Sequence, residues 1–404
     1  MSFSAIRVEN LKPGLNGTIC ALVGYSVIFL LPSFVESAAQ EYKLNEQQLG
    51  WLGAADTAGL AISTSIMAFA LHKFNLSRLL LLGLCAAVLG NILSLFSKEI
   101  VDLLWSRLIA GLGEGLLVVL GMYCLAKTHD TNRWFAIYTA AAVILQAIGL
   151  FLLPRLIEHW GFVAVIYSFM LLLIAPLLCL RPLSRFLKEL STQAESDTDN
   201  SCSTVLDIYK KPLFLSLLAV LFFYISIGTF WTYAATIGTS AGFSFEWVSE
   251  ALSLSMIGGL AGALLLVYLG PSAKNYRIYV ISAAFMVGSL LALLLNFSDN
   301  LYLVALIVYS IVWSIIASKL YSDVAEGDSS GRFITACQPL INIGFALGPL
   351  LASQWVLEHG NSSVIYIAVA ALLFSMLCIY PLVKNLSQTV GNLTSSSSEK
   401  RADL

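Results

Sequence analysis

Long runs of apolar residues, separated by short polar connections, repeat along the whole chain. Each run is close to the roughly 20 residues that an α-helix needs to cross about 30 Å of hydrocarbon. The pattern therefore predicts an all-α integral membrane protein. Twelve runs are found, at 14–36, 49–71, 78–97, 101–127, 134–156, 161–181, 212–236, 248–270, 277–297, 301–321, 333–356 and 363–384.

The longest polar connection lies between the sixth and seventh runs and divides the chain near its middle. It includes the stretch 191–201, which is rich in Ser, Thr and Asp. This composition is typical of a flexible linker. The predicted parts are an N-terminal six-helix bundle at 1–181, a cytoplasmic linker at 182–211, a C-terminal six-helix bundle at 212–384 and a disordered cytoplasmic tail at 385–404.

The two halves also resemble one another in sequence. Glu158-His159 and the stretch 165–167, Val-Ile-Tyr, recur as Glu358-His359 and 364–366, at offsets of 200 and 199 residues. A similar order at a nearly constant offset indicates a parallel internal repeat. Two parallel six-helix repeats are therefore expected.

The composition agrees with a membrane protein and excludes several other classes. Of the 404 residues 58% are hydrophobic and only 11% are charged, which is too apolar for a soluble chain of this length. The net charge of −2 gives no sign of nucleic-acid binding. We expect the lipid bilayer to be the chain's main partner, and nothing requires more than a monomer.

The basic residues predict the orientation of the helices. With a cytoplasmic amino terminus, the outer side carries only Lys43, Lys98 and Arg155, and Arg107 lies in the membrane, so 18 of the 22 Lys and Arg residues are cytoplasmic. Cytoplasmic loops are enriched in Lys and Arg. Both termini are thus predicted to be inside, and the short loops fit a bacterial inner membrane.

Two charged residues stand inside the fourth apolar run. Arg107 and Glu114 are seven residues apart, which places them on one helix face about 10 Å apart along the axis. Gly111 and Gly115 form a small-xxx-small pair that lets a neighbouring helix approach closely. Charges at such depth normally face a protein interior or a water-filled cavity. This helix is therefore the first candidate for function.

Arg107, Gly111 and Gly113 match an Arg-x-x-x-Gly-x-Gly motif in a fourth helix. Together with the six-plus-six pattern, the central loop and the parallel halves, this motif resembles that of the major facilitator superfamily. The resemblance implies a secondary transporter that moves a small molecule by rocking its two halves around a central site. Glu114 is similar to a position that several proton-coupled families of this superfamily use for coupling.

A partner for Arg107 is predicted from membrane depth. Asp56 lies seven residues into the second helix from the outer side, and Arg107 lies at a similar depth in the fourth. We expect Asp56 and Arg107 to form a buried ion pair, with Glu114 deeper as the group that binds the proton. Burial in an apolar cavity favours the protonated carboxyl form. The alternative is that the three residues only lock the second and fourth helices together.

Aromatic and amide side chains at mid-membrane depth are the candidates for substrate binding. A buried amide needs a hydrogen-bonding partner, which a substrate can supply. The alternative for aromatic residues near a helix end, such as Trp231 and Tyr233, is an interfacial belt. The predicted substrate-binding residues are Tyr25, Gln146, Tyr224, Trp231, Tyr309, Trp313, Gln338 and Asn342.

The remaining side chains indicate no cofactor. The four histidines fall in loops or at helix ends and the seven cysteines show no paired spacing, so neither a metal site nor a disulfide framework is predicted. Nothing resembles a phosphate-binding loop, which argues against ATP-driven transport. We therefore expect no cofactor and no enzyme activity, with H⁺, or alternatively Na⁺, as the coupling ion.

The sequence leaves more than one function open. The leading hypothesis is proton-coupled uptake of a small amphiphilic or aromatic solute. Gly149 and Pro154 match the exporter pattern of a fifth helix only loosely, which favours uptake, whereas the aromatic second half favours proton-antiport efflux of drugs or metabolites. From another class, a non-transporting membrane sensor or a membrane-embedded enzyme on a transporter scaffold is the alternative.

Overall fold

The computed structural model describes residues 3–71, 74–128, 130–181, 183–186, 211–269, 276–295, 298–328 and 332–402. Within these ranges the chain forms long α-helices and no β-strand. In chain order the helices are α1 Phe3–Gly24, α2 Ser26–Tyr42, α3 Glu46–Ala70, α4 Leu76–Phe96, α5 Ile100–Ala126, α6 Thr131–Trp160, α7 Val163–Leu178, α8 Lys211–Ser240, α9 Phe245–Leu269, α10 Tyr276–Ala292, α11 Asp299–Gly327, α12 Arg332–His359 and α13 Asn361–Ala402.

Ten helical segments of the described chain are long and apolar enough to cross a membrane, with α1 and α2 counted together as Pro13–Tyr42. Two shorter apolar helices, α7 and α10, lie where the sequence predicts the sixth and ninth runs. The all-α membrane architecture is therefore confirmed, whereas twelve crossings remain a prediction. We call α1–α7 the first half and α8–α13 the second half.

Two parts of the predicted organisation stay predictions. Most of the predicted linker, 187–210, lies outside the described residues. The last helix, α13, continues to Ala402 through the tail for which the Ser-rich sequence favours disorder.

The first predicted run is longer in the structure than the sequence indicates, and it is interrupted. Helices α1 and α2 meet at Tyr25, whose backbone has φ −96° and ψ 0°, and α2 continues past Glu36 to Tyr42. The apolar pattern ends the run at the charge of Glu36. In the structure this carboxylate is buried against the second half, so the charge does not end the helix.

Polar side chains set the start of several helices. Asn45 caps α3 with a reciprocal pair of hydrogen bonds. The backbone N–H of Gln48 donates to Asn45 Oδ1 at 2.9 Å, and the backbone N–H of Asn45 donates to Gln48 Oε1 at 3.0 Å. Such a capping box satisfies two backbone donors that the helix itself cannot pair. The start of α3 is therefore fixed at Asn45.

Many large apolar side chains remain exposed on the outer faces of the helices, among them Ile257, Leu264 and Leu377. A soluble protein rarely exposes apolar patches of this extent. Lipid provides the missing apolar environment, so these faces mark the perimeter of the bundle and the buried polar residues mark its interior.

The halves pack against each other mainly through α3 with α12, α2 with α8 and α6 with α9. We define the distal end as the end that carries the connections 43–45, 97–99 and 241–244. There the two halves approach closely: a Cβ on Gly50 would lie 2.5 Å from the Pro349 carbonyl oxygen. Arg155 of α6 also forms an ion pair with Glu250 of α9 at 2.5 Å.

Candidate functional site

Arg107 occupies the centre of a buried polar cluster in the first half. Its Nε donates to Asp56 Oδ2 at 2.8 Å and its Nη2 binds the same oxygen. Nη1 donates to Asn91 Oδ1 at 3.0 Å, and Nη2 lies 3.5 Å from Glu114 Oε1. The ion pair that the sequence predicts between Asp56 and Arg107 is present, and Glu114 belongs to the same cluster.

Small residues allow the helices of this cluster to approach closely. A Cβ on Gly111 of α5 would meet the backbone carbonyl oxygen of Asp56, and a Cβ on Gly59 of α3 would lie 2.5 Å from the Leu108 carbonyl oxygen. Close approach of two membrane helices depends on such small residues. Gly111 therefore serves the geometry of the Asp56–Arg107 pair directly.

Two aromatic rings flank the guanidinium group. Its Cζ lies 5.4 Å from the ring centre of Phe34 and 5.5 Å from that of Phe169. Cations within about 6 Å of an aromatic face are attracted to it. Arg107 is thus fully buried, with contacts from α2, α3, α4, α5 and α7.

The charges of the cluster do not balance when all its groups are ionised. Asp56 and Glu114 contribute two carboxylates, and Arg107 contributes one positive charge. Asp56 Oδ1 and Glu114 Oε2 are buried and have no hydrogen-bond partner among the described residues. A buried unpaired anion is costly, and a bound proton relieves that cost. The arrangement can therefore hold one proton.

A second polar network joins the two halves near the middle of the bundle. Tyr25 Oη donates to Asn342 Oδ1 at 3.3 Å and accepts a hydrogen bond from Gln338 Nε2. Asn342 Nδ2 donates to Thr64 Oγ1 at 3.1 Å. We call these four residues the polar bridge. It brings together three predicted substrate-binding residues, Tyr25, Gln338 and Asn342, and adds Thr64.

Two further tyrosines lie near the polar bridge on its side away from the distal end. Tyr138 of α6 is within electrostatic range of Tyr25 and Tyr224, and Tyr321 of α11 is within range of those two and of Tyr138. Both Tyr138 and Tyr321 are half-buried. We call Tyr25, Tyr138, Tyr224 and Tyr321 together the tyrosine chamber.

The other predicted aromatic residues form a connected group above the chamber. The ring centres of Trp231 and Trp313 are 6.1 Å apart, and those of Tyr309 and Trp313 are 6.4 Å apart. Trp231 Nε1 donates to the Ile28 carbonyl oxygen at 2.9 Å. Trp231 and Tyr233 are fully buried, so the interfacial-belt alternative is wrong for both. The predicted depth of Trp231 and Tyr233 is wrong because α8 extends beyond the predicted run.

The remaining predicted substrate-binding residues differ in their surroundings. Tyr224 is buried, and its ring centre lies 5.6 Å from that of Phe345. Gln146 is also buried. The Tyr309 hydroxyl is buried and has no hydrogen-bond partner among the described residues. It is therefore a donor that a bound molecule can satisfy.

Several polar residues of the interior escape the sequence analysis. Asn91 stands alone in an apolar run, and an isolated mid-helix amide is the signal that could have identified it. Lys319 lies near the end of the predicted run 301–321, but it is buried and binds Asp323 at 2.9 Å. Tyr279 Oη donates to Asp323 Oδ2 at 2.9 Å. Because α11 continues to Gly327, these charges lie within the helix and the predicted end is wrong.

The structure provides no evidence for a bound metal. Across the described ranges, no three His, Cys, Asp or Glu side chains come together as metal ligands.

Comparison with known proteins identifies a matching family model and solved structures with a similar fold. A family model described as Major Facilitator Superfamily matches residues 17–336. The solved D-xylose-proton symporter is 17% identical, with a TM-score of 0.67 over 90% of this chain and 97% of that chain. A structure of a proton dependent oligopeptide transporter is 14% identical, with a TM-score of 0.67 over 93% of this chain and 100% of that chain.

The nucleoside transporter NupG is 13% identical, with a TM-score of 0.63 over 93% of this chain and 98% of that chain. At these identities the likeness shows the fold alone. No curated protein sequence matches the chain.

Proposed function

Because the chain belongs to the major facilitator superfamily, a family of transporters and not of enzymes, we propose that it carries a small organic solute across the membrane together with protons. The solute binds in the tyrosine chamber and at the polar bridge, and the proton binds at the Arg107 cluster. Proton-coupled uptake is the direction that we favour.

The observation that carries this proposal is the charge count around Arg107. Two carboxylates, Asp56 and Glu114, converge on one guanidinium nitrogen, Nη2, in a buried site. Asp56 is held by two guanidinium nitrogens, whereas Glu114 has a single long contact of 3.5 Å. Glu114 is therefore the carboxylate that releases and rebinds the proton, and Asp56 keeps Arg107 in position.

The polar bridge connects the two halves and is therefore sensitive to their relative movement. Tyr25 and Thr64 belong to the first half, and Gln338 and Asn342 belong to the second. Their hydrogen bonds must break when the halves rock apart around a central site. Since the distal end is closed by close packing and by the Arg155–Glu250 pair, the described conformation is closed toward the side predicted to be outside.

The proposal is tested in proteoliposomes that contain a pH-sensitive dye. Adding a transported solute outside should acidify the interior of vesicles with the wild-type protein, because solute and proton enter together. Glu114→Gln removes the titrating group and should abolish the signal. Glu158→Gln, which changes an exposed acid of α6, should retain it and serves as the matched control.

Two results would contradict the proposed coupling. Solute entry in Glu114→Gln that still responds to an imposed pH gradient as in the wild type would exclude Glu114 as the proton carrier. Solute-driven alkalinisation of the interior in the wild type would show antiport instead of symport, which is the efflux alternative.

Localisation completes the proposal. The protein is a multi-pass integral membrane protein, and we place it as a monomer in a bacterial inner membrane with both termini in the cytoplasm. The distribution of Lys and Arg supports this orientation. A carboxyl-terminal fusion to a fluorescent protein that matures only in the cytoplasm should fluoresce, and a dark fusion would reverse the orientation.

A further inference from the structure

An apolar groove runs along the lipid-facing surface of the first half, where α4 packs against α7. Its volume is about 590 Å³, and its walls are formed by α4 at 81–88 and α7 at 167–177. Apart from Cys85 and Tyr167, the lining side chains are Leu, Ile, Val and Met. The groove belongs to neither the Arg107 cluster nor the polar bridge, so the proposed transport leaves it without a role.

The groove has the depth of one leaflet of a bilayer. It lies toward the end of the bundle opposite to the distal end, where α4 begins and α7 ends, and we call this the proximal end. From Leu177 to Tyr167 the α7 wall rises about 15 Å, at roughly 1.5 Å per residue. One leaflet contributes about half of the roughly 30 Å of hydrocarbon. An acyl chain of the leaflet at the proximal end therefore fits along the groove.

Two arginines extend the walls of the groove at the proximal end. Arg78 precedes Leu81 by three residues in α4, and Arg181 follows Leu177 by four residues. The backbone between Leu177 and Arg181 stays in the right-handed helical conformation at Cys179. Residues three or four apart lie on the same helix face. Arg78 and Arg181 are thus in line with the apolar side chains that form the two walls.

A hydrogen bond between the two walls brings a third arginine to the same place. Ser77 Oγ donates to the Ser184 carbonyl oxygen at 2.9 Å. Arg78 and Arg185 follow these two residues directly in sequence, so they lie on adjacent stretches of backbone. All three arginines are exposed, and within the described ranges none of them forms an ion pair. Three positive charges beside an apolar groove match a ligand with an anionic head and an apolar tail.

A second apolar groove, between α10 and α11, lacks these charges. Its volume is about 320 Å³, and it is lined by residues within 284–292 and 301–308. It lies toward the distal end, and the sequence has no Lys or Arg between Arg277 and Lys319. The charged residue closest to it in sequence is an acid, Asp299, at the start of α11. The two grooves therefore form a matched pair that differs in charge.

We propose that the α4–α7 groove binds an anionic diacyl phospholipid of the leaflet at the proximal end, which is predicted to be the cytoplasmic leaflet. One acyl chain lies along the groove, and Arg78, Arg181 and Arg185 bind the phosphate. Arginine can donate two parallel hydrogen bonds to phosphate oxygens. Basic pockets between membrane helices on the cytoplasmic side recognise anionic headgroups in this way. This lipid site is separate from the proposed solute and proton sites.

The test uses phosphatidylglycerol and phosphatidylcholine that carry the same photoactivatable acyl chain and differ only in the headgroup. The protein is reconstituted in vesicles that contain one of these probes, and cross-linked peptides are identified by mass spectrometry after illumination. At 81–88 and 167–177 the anionic probe should give at least about tenfold more cross-links than the zwitterionic probe. At 284–292 and 301–308 the two probes should cross-link equally.

Removing the three charges should abolish the preference at the α4–α7 groove. The variant Arg78→Gln, Arg181→Gln, Arg185→Gln leaves the apolar walls intact and should cross-link both probes equally there. If this triple variant does not accumulate, Arg181→Gln by itself should lower the ratio by at least about threefold. Replacing all three arginines by Lys keeps the positive charge and should keep most of the preference.

A control variant separates a binding site from the general positive charge of the proximal surface. It replaces three other exposed cations, at the proximal ends of α5, α6 and α10, by Lys127→Gln, Arg133→Gln and Arg277→Gln, and it should retain the preference. Equal cross-linking of both probes in the wild type would overturn the inference. An equal loss of preference in the control variant would overturn it too, and so would a preference that survives removal of the groove arginines.

Discussion

The Glu36 carboxylate of the first half accepts a hydrogen bond from Thr236 Oγ1 of the second half at 2.9 Å. Thr239 Oγ1 donates to the other carboxylate oxygen at 3.0 Å, and Gln40 Nε2 lies 3.4 Å from it. The carboxylate is buried at the seam between α2 and α8. The two threonine hydrogen bonds cross between the halves, and separation of the halves at the distal end must break them, so Glu36 favours the closed conformation.

We predict that Thr236→Val shifts the protein away from the closed distal end. A hydrogen bond to a charged group contributes about 1.5–3 kcal/mol, so the ratio of closed to open states should fall roughly tenfold or more. Spin labels on Lys43 and on the exposed Ser240 would report the opening as a longer distance. Thr139→Val, which removes an exposed hydroxyl bonded within its own helix, is the control. An unchanged distance distribution in Thr236→Val would refute the role of Glu36.

A second prediction concerns the close approach of α3 and α5. Gly111→Ala places a Cβ against the Asp56 backbone carbonyl oxygen, so the helices must separate. Overpacking of this kind costs about 1–3 kcal/mol and should lower the melting temperature in detergent. Gly288→Ala in α10 is the control, because no atom lies within 4 Å of its added Cβ, and it should be neutral or slightly stabilising. Equal melting temperatures of Gly111→Ala and Gly288→Ala would show that the close contact at Gly111 does not contribute to stability.

A third prediction separates the structural role of Arg107 from the role of Glu114. Arg107→Met leaves two buried carboxylates without a cation, and breaking a buried ion pair in this way typically costs about 3–5 kcal/mol. The variant should unfold at a much lower temperature or fail to accumulate. Arg155→Met is the control, since Arg155 is half-exposed and its ion pairs contribute about 0–1 kcal/mol.

The Asp56→Asn, Arg107→Met double variant keeps this prediction testable when the single variant does not fold. The double variant leaves one buried carboxylate, Glu114, in place of two, so part of the stability should be recovered. Recovery would assign the loss to unpaired charge, and no recovery would assign it to the packing of Arg107 between Phe34 and Phe169.

Periodicity and depth suffice for much of the fold and for one ion pair. The apolar runs predict the helices because each crossing must bury or expose to lipid about 20 apolar residues, and the Asp56–Arg107 pair follows from equal depth in neighbouring helices. The helix ends are predicted less well. Glu36 is the last residue of its predicted run and Asp323 lies beyond the end of its run, although both are buried within longer helices. In sequence, a charge that has partners inside the protein cannot be distinguished from a charge in water.

The tyrosine chamber is predicted only in part. Tyr25 and Tyr224 follow from their depth, but nothing in the local pattern of α6 and α11 distinguishes Tyr138 and Tyr321 from tyrosines that face lipid. Which face of a membrane helix turns inward depends on packing between the halves, which a single sequence does not encode at one position. The bridge residues Gln338 and Asn342 are easier to predict because amides are unfavourable toward lipid.

The last prediction concerns the buried Lys319–Asp323–Tyr279 group of the second half. Lys319 Nζ binds both Asp323 oxygens at 3.0 and 2.9 Å, and Tyr279 Oη donates to one of them. One cation faces one anion, and each Asp323 oxygen has a partner. In contrast to the Arg107 cluster, this group has no unpaired charge that calls for a proton, so we expect it to stabilise the fold without taking part in coupling.

Lys319→Met should therefore lower the melting temperature, because it leaves Asp323 buried without a cation, while the remaining folded protein keeps its solute-driven acidification per molecule. Tyr279→Phe removes a single hydrogen bond and should cost about 1 kcal/mol with the same retention. The decisive comparison is Asp323→Asn against Glu114→Gln in the same vesicles. If Asp323→Asn abolished coupling in folded protein as Glu114→Gln is expected to do, charge balance would not be what distinguishes a proton site from a structural ion pair in this molecule.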